Sequence, residues 1–221
     1  METSNFFADI QMCKIERIFT YRNTPMISFF VHYPKVTLHC NPAAQKRMNR
    51  KIQAQVNQFC RYASNDLYQL AVSDYKNSLG NDSPFHRYDA ILEYTITYSW
   101  DCRLSLYRDQ YTYTGGAHGS TVRASDTWNL ENGLEIPLAS FFPNDQNYKA
   151  FLIEKITRQA DERMQKTPGI FFENYRDLIL ESFNEDHYYL TPTGIDIYYQ
   201  QYEIAPYSTG IVVFTIPYAE G

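Results

Sequence analysis

The chain has 221 residues, 44% of them hydrophobic and 20% charged, with a net charge of -5 at pH 7. That length holds one large domain or two small ones with a sizeable core. The acidic balance argues against a nucleic-acid surface, which needs clustered Lys and Arg. No apolar run approaches the roughly 20 residues that span a bilayer.

Gln11–Tyr21 alternates loosely and reads as a strand, followed by the Arg22-Asn23-Thr24-Pro25 turn and a second strand, Met26–Leu38, with Pro34 marking a bulge or an edge. Asn41-Pro42 is a helix start, with Asn as the cap and Pro in the first turn. Ala44, Met48, Ile52, Val56, Phe59, Ala63, Leu67, Leu70 and Ala71 then recur in steps of three or four, apart from the adjacent last two, and predict one helical stripe facing a core. The helix either breaks near Ser64-Asn65-Asp66 or runs on towards Leu79. Its basic cluster Lys46, Arg47, Arg50 and Lys51 reads as a solvated face.

Three strands follow: Tyr88–Trp100, Leu104–Tyr113 and Thr121–Leu130. Asn132-Gly133 then signals a tight hairpin. Asn144–Lys166 reads as a helix that buries Phe151, Ile153, Ile156, Ala160 and Met164, and Phe172–Phe183 as a shorter one. His187–Leu190 and Ile195–Tyr199 flank the Thr191-Pro192-Thr193-Gly194 turn, and Ile211–Ile216 is the last strand. The segregated strands and helices predict an α+β fold, antiparallel sheets with helices packed on them. Two sub-domains in tandem are expected, residues 1–114 and 115–221.

Tyr is abundant, 20 of 221 residues. Its rings suit a half-buried sheet, and equally a protein interface or a sugar-binding surface. Cys13, Cys40, Cys60 and Cys102 form no CxxC pair, so no zinc site is expected; two disulfides or buried free thiols both remain open. Met1-Glu-Thr-Ser-Asn lacks the basic and apolar segments of a signal peptide. The sequence as it stands reads as cytosolic, or as an exported protein without its targeting segment, and any membrane attachment would run through a segment outside this chain.

Thr114-Gly-Gly-Ala-His-Gly119 places Gly115, Gly116 and Gly119 in one short loop, which implies positive φ or the close approach of another group. The loop lacks the Lys-Ser/Thr of a phosphate-binding loop. His118 and Ser120 lack the oriented third group of a catalytic triad. Asp126, Asp196 and Glu203 are candidate sugar-hydrolysing carboxylates by location only. His32, His39, His86, His118 and His187 are scattered without a metal-ligand motif. No catalytic residue, cofactor or metal is therefore expected. Near the C-terminus, Tyr202, Glu203, Pro206 and Tyr207 make a rigid aromatic loop of the kind that fills a partner's cleft.

The Gly loop, Trp128-Asn-Leu-Glu-Asn-Gly133, Ile136-Pro-Leu-Ala-Ser-Phe-Phe142, Tyr188-Tyr-Leu-Thr-Pro-Thr-Gly194, Tyr202-Glu-Ile-Ala-Pro-Tyr207 and Ile216-Pro-Tyr218 together resemble the extracytoplasmic domain of RsiV-type anti-sigma factors. Related modules accompany PdaC-type polysaccharide deacetylases. The resemblance implies an exported, wall-facing bacterial domain, and in anti-sigma members such a domain binds lysozyme. The sigma-binding segment, the membrane helix and the deacetylase catalytic domain have no counterpart in this sequence. The expected partner is a lysozyme-type protein, with a cell-wall glycan as the alternative. Gly115, Gly116, His118, Ser120, Tyr202, Glu203, Pro206 and Tyr207 are the expected contact residues.

Overall fold

The longest helical run begins where Asn41 and Pro42 set it. The Asn41 side chain accepts hydrogen bonds from the main-chain N–H groups of Ala43 and Ala44, and α1 spans Pro42–Arg61. The run neither breaks nor continues unchanged at Ser64-Asn65-Asp66. It passes through a π-helical turn, Tyr62–Leu67, into α2, Tyr68–Asn81. Ala44, Met48, Ile52, Val56, Phe59, Ala63, Leu67 and Ala71 are all buried. Their steps are mostly four, longer than the roughly 3.6 residues of an α-helical turn, so a straight helix would rotate this stripe off the core. The π turn inserts the residue that corrects the drift. It also moves the stripe on by one position, which is why Leu70, expected inside, is 48% exposed while Val72 is buried.

A computed structural model describes residues 8–39, 41–81, 84–143 and 147–218; Cys40 and the expected helix start at Asn144 lie outside them. Five strands form the first sheet in the order β1 (Asp9–Tyr21), β2 (Thr24–Thr37), β3 (Tyr88–Trp100), β4 (Arg103–Tyr113) and β5 (Ser120–Asn129). Three of its pairings are antiparallel, as expected, and β2–β3 is parallel. The helical crossover of α1 and α2 returns the chain to the end of the sheet where β2 began, so β3 enters in the same direction. Phe29 and Val31 of β2, Ala90 and Leu92 of β3, Leu104 and Leu106 of β4 and Trp128 of β5 meet the helical stripe in the first core.

The expected division at residue 115 falls between β4 and β5, and β5 pairs with β4 along its whole length. The sheet therefore runs on to Asn129, and the second core starts at Leu138. That core packs α3 (Tyr148–Lys166) and α4 (Tyr175–Glu181) on an antiparallel sheet of β6 (Tyr188–Thr191), β7 (Gly194–Tyr199) and β8 (Val212–Pro217). In α3 the buried residues are Leu152, Ile156 and Ala160; Phe151, expected inside, is 38% exposed one residue off that stripe. Cys13, Cys60 and Cys102 are free thiols.

The two sheets meet through β6. Buried Ser105 and Thr127 share a hydrogen bond of 2.7 Å, and the Leu190 N–H donates to the Ser105 hydroxyl at 2.9 Å. The Arg123 guanidinium binds both oxygens of Asp109, at 2.8 and 2.7 Å, and lies 3.7 Å from the centre of the Tyr107 ring. Tyr107 packs against Tyr189 with ring centres 5.1 Å apart. Tyr198 lies against Tyr189 in turn, with ring centres 6.1 Å apart. Burial raises the Tyr189 and Tyr198 hydroxyls, the latter to about 12, so both stay neutral.

Candidate functional site

The two motifs that stand far apart in the sequence meet at the β5 edge of the first sheet. Gly115 and Gly116 adopt φ of +92° and +93°, with open space where a side chain would stand. Gly119 has a different reason: a Cβ there would come within 2.4 Å of the Tyr111 ring. Between them, exposed His118 turns Nδ1 to the Gly119 carbonyl at 3.1 Å and stacks on Tyr207, with ring centres 3.7 Å apart at 18°. Tyr207 in turn leans on Tyr202, at 6.0 Å, and Tyr202 is 55% exposed. His118, Tyr207 and Tyr202 thus form a ladder of rings open to solvent.

The ladder stands on a fixed base. The Glu203 carboxylate accepts the Gln200 N–H at 2.6 Å and closes the turn in which Tyr202 takes a φ of +68°. Ile204 and Ala205 are buried in the second core, and the Ile204 carbonyl accepts the Phe172 N–H. Pro206 is extended and leads into a single 3-10 turn, Tyr207–Thr209, pinned by the Thr209 hydroxyl on the Ile170 carbonyl at 2.8 Å. Gln200 and Gln201 then act as a substitute strand for β5. The Arg123 N–H donates to Gln200 Oε1 at 2.9 Å, Gln200 Nε2 donates to the Arg123 carbonyl at 2.7 Å, and the Thr121 N–H donates to Gln201 Oε1 at 2.8 Å. An edge strand with unpaired main chain invites foreign strands, and these amides occupy it.

The structure brings His118, Tyr202, Glu203, Pro206 and Tyr207 into or beneath this surface, whereas Gly115 and Gly116 line a separate hollow with Asp74, Phe85 and His86. Ser120 begins β5, and neither contact of the His118 ring is to it. The three carboxylates are engaged separately: Glu203 in its turn, Asp196 by the Thr215 hydroxyl at 2.6 Å, and Asp126 by two cations. Among the described residues no group of three His, Cys, Asp or Glu could hold a metal.

Asp126, a candidate by location alone, sits in the densest charge network of the site. It is 5% exposed. One oxygen takes Lys51 at 2.6 Å, and the other takes Arg108 at 2.7 Å and the Gln55 amide at 3.0 Å. Lys51 also reaches Glu135 at 2.6 Å. Burial disfavours the Lys51 ammonium, but the bonds to Asp126 and Glu135 outweigh it and hold its pKa above the ordinary value. Lys51 is therefore structural, while Lys46, Arg47 and Arg50 are exposed as expected of a solvated face, Arg47 also donating to the Asn132 carbonyl. A basic residue every few positions on a helix looks solvated when the facing strand is unknown.

Arg108 and Gln55 of this network line a cleft of 540 Å³ between the π turn and β4–β5, with Arg61, Tyr62 and Gln110 among its other walls. A neighbouring cleft of 550 Å³ shares Arg108 and Ala124 and reaches Glu135, His187 and Tyr198. His187 stacks on Tyr198 at 4.8 Å, and its Nδ1 is buried without a hydrogen-bond partner. Burial pushes its pKa below the ordinary 6.5, opposed in part by Glu203 and Asp186. A depressed histidine favours folding while neutral, so the penalty is absent above pH 6.5 and grows as pH falls through that value. Replacing His187 with Phe, which keeps the stack, is expected to flatten the loss of stability as pH falls below the ordinary histidine value, read by urea melts on both sides of it.

Residues 21–121 match the family model described as deacetylase PdaC, and residues 139–219 match the one described as a protein of unknown function, DUF3298. The first match covers β2 to the Gly loop, and the second nearly all of the second core. No curated protein is matched. A crystal structure of a DUF3298 family member from Bacteroides fragilis is similar over 96% of this chain and 90% of its own, with a TM-score of 0.72 at 18% identity. One from Pseudomonas aeruginosa is similar over the same shares, with a TM-score of 0.60 at 16% identity. The two-unit α+β architecture is thus shared with both. Among the described residues no helix is long and apolar enough to cross a membrane.

Proposed function

For a chain that joins a PdaC region to a DUF3298 region, we propose a recognition domain of the bacterial cell envelope that binds a protein through the aromatic ridge beside its β5 edge and catalyses no reaction of its own. The proposed partner is a lysozyme-type muramidase, in keeping with the resemblance to RsiV-type extracytoplasmic domains. The observation that carries this reading is the stack of His118 on Tyr207, continued by exposed Tyr202, which joins both motifs in one rigid aromatic surface. Exposed Tyr rings held in place before binding lose little freedom on contact, and such residues dominate interface energies. An aromatic ridge next to an extended Pro206 suits a saccharide-binding cleft, where rings replace sugar faces.

Tyr202→Ala is expected to weaken lysozyme binding at least about tenfold with no change in melting temperature, because the ring supports no core. Equal affinity of Tyr202→Ala and the unaltered chain would remove the ridge from the account.

The polar clefts favour a second reading, a glycan-binding module. Gln55, Arg61, Gln110 and Tyr62 offer the amides, guanidinium and ring that sugars bind. Retention on purified sacculi, lost in Gln110→Ala and kept in Tyr202→Ala, would establish it over the protein partner.

A further inference from the structure

Each sheet edge of the second unit, and the β5 edge of the first, is covered. Gln200 and Gln201 bond the β5 main chain. On β8, the Thr215 carbonyl accepts from Gln159 at 2.9 Å and the Val213 carbonyl from Arg163 at 2.8 Å. On β6, the Leu190 N–H is taken by Ser105. The remaining edge is β1, 13 residues long and paired only with β2 among the described residues. The one bond its main chain receives there from a side chain of another element is from the Tyr68 hydroxyl to the Thr20 carbonyl, near its end.

On one face of β1 the exposed charges are complementary to their own reversal. Around Ile15 it reads Met12-Cys13-Lys14-Ile15-Glu16-Arg17-Ile18. In an antiparallel pair centred on Ile15, Lys14 lies opposite Glu16 of the second copy, Glu16 opposite Lys14, and Met12 opposite Ile18. Lys14 and Glu16 side chains are 65% and 64% exposed, and Ile18 is 56% exposed. Opposite charges facing across a pair stabilise it, and like charges destabilise it. The next registers that keep the same faces together, centred on Lys14 or Glu16, put Lys14 against Lys14 or Glu16 against Glu16. A lone Lys on an edge repels pairing. Lys14 followed two residues later by Glu16 selects one register of it.

We infer that β1 is a homodimer interface, in which two copies join their first sheets edge to edge in the Ile15-centred register. The partner is a second copy of this chain, because the charge pattern is complementary to itself under a two-fold axis. β1 and β5 are opposite edges of the sheet, so the dimer keeps both β5 surfaces open, and a ligand carrying two copies of its epitope would be held by both. The inference does not depend on what the β5 edge binds.

The test is analytical ultracentrifugation of the full chain over a range of concentrations. The unaltered chain is expected to reach twice the monomer mass. Lys14→Glu and Glu16→Lys, both at exposed positions, are each expected to remain monomeric with unchanged circular dichroism. Mixing the two variants is expected to restore the dimer, because each then faces the opposite charge. An unaltered chain that stays monomeric throughout, or a dimer that neither substitution weakens, would overturn the inference.

Discussion

Gly133→Ala is expected to cost about 2–5 kcal/mol of folding stability, the sum of a left-handed backbone penalty of about 1–2 and an overpacking penalty of about 1–3. Gly133 has a φ of +66°, and a Cβ there would stand 2.7 Å from both the Cα and the carbonyl oxygen of Ala44. Those atoms are main chain in the first turn of α1 and cannot step aside as a flexible side chain would. The loop is held against the helix on both flanks, by Asn41 to the Glu131 carbonyl and by Arg47 to the Asn132 carbonyl. Gly116→Ala is the control, since its φ is also positive but nothing lies near. It should lose only the backbone share. Urea denaturation of both variants checks the difference, and equal losses would show that the contact with α1 carries no weight.

Arg108→Met is expected to destabilise the fold by about 3 kcal/mol, because it strips one cation from a carboxylate that water barely reaches. Asp126 would keep Lys51 and Gln55, with one strong donor fewer on Oδ2. Removing the carboxylate as well, as Arg108→Met with Asp126→Leu, should recover part of the loss, since Lys51 keeps Glu135 and a buried ion pair often does no better than apolar groups of its size. Guanidinium melts of the single and double variants measure this. A double variant much weaker than the single one would show the network to be worth more than its desolvation cost.

Much of the fold was legible because side-chain period reports which face is buried. The stripe from Ala44 to Ala71 and the Asn132-Gly133 turn are of this kind. Period does not report strand direction, which is why the parallel β2–β3 pair was not foreseen. It also fails at the π turn, where one inserted residue sends Leu70 outward. The site divides in the same way. Gly115, Gly116 and the Tyr202–Tyr207 loop announce unusual backbone locally. The bonds from Gln200 to Arg123 and from Lys51 and Arg108 to Asp126 link residues far apart in the chain, and no local pattern marks them. Lys14 and Glu16 carry no signal in the sequence, because only the sheet order shows that they lie on a strand paired on one side among the described residues.

Calorimetric titration of the chain with a chicken-type lysozyme, at moderate salt, tests the recognition reading most directly. Salt matters, because a protein of net charge -5 and a basic lysozyme attract each other without specificity when charges are unscreened. Stoichiometric binding that survives salt and is weakened by Tyr202→Ala is the expected result. Heat that vanishes as salt rises, or no heat with lysozymes of several types, would contradict it.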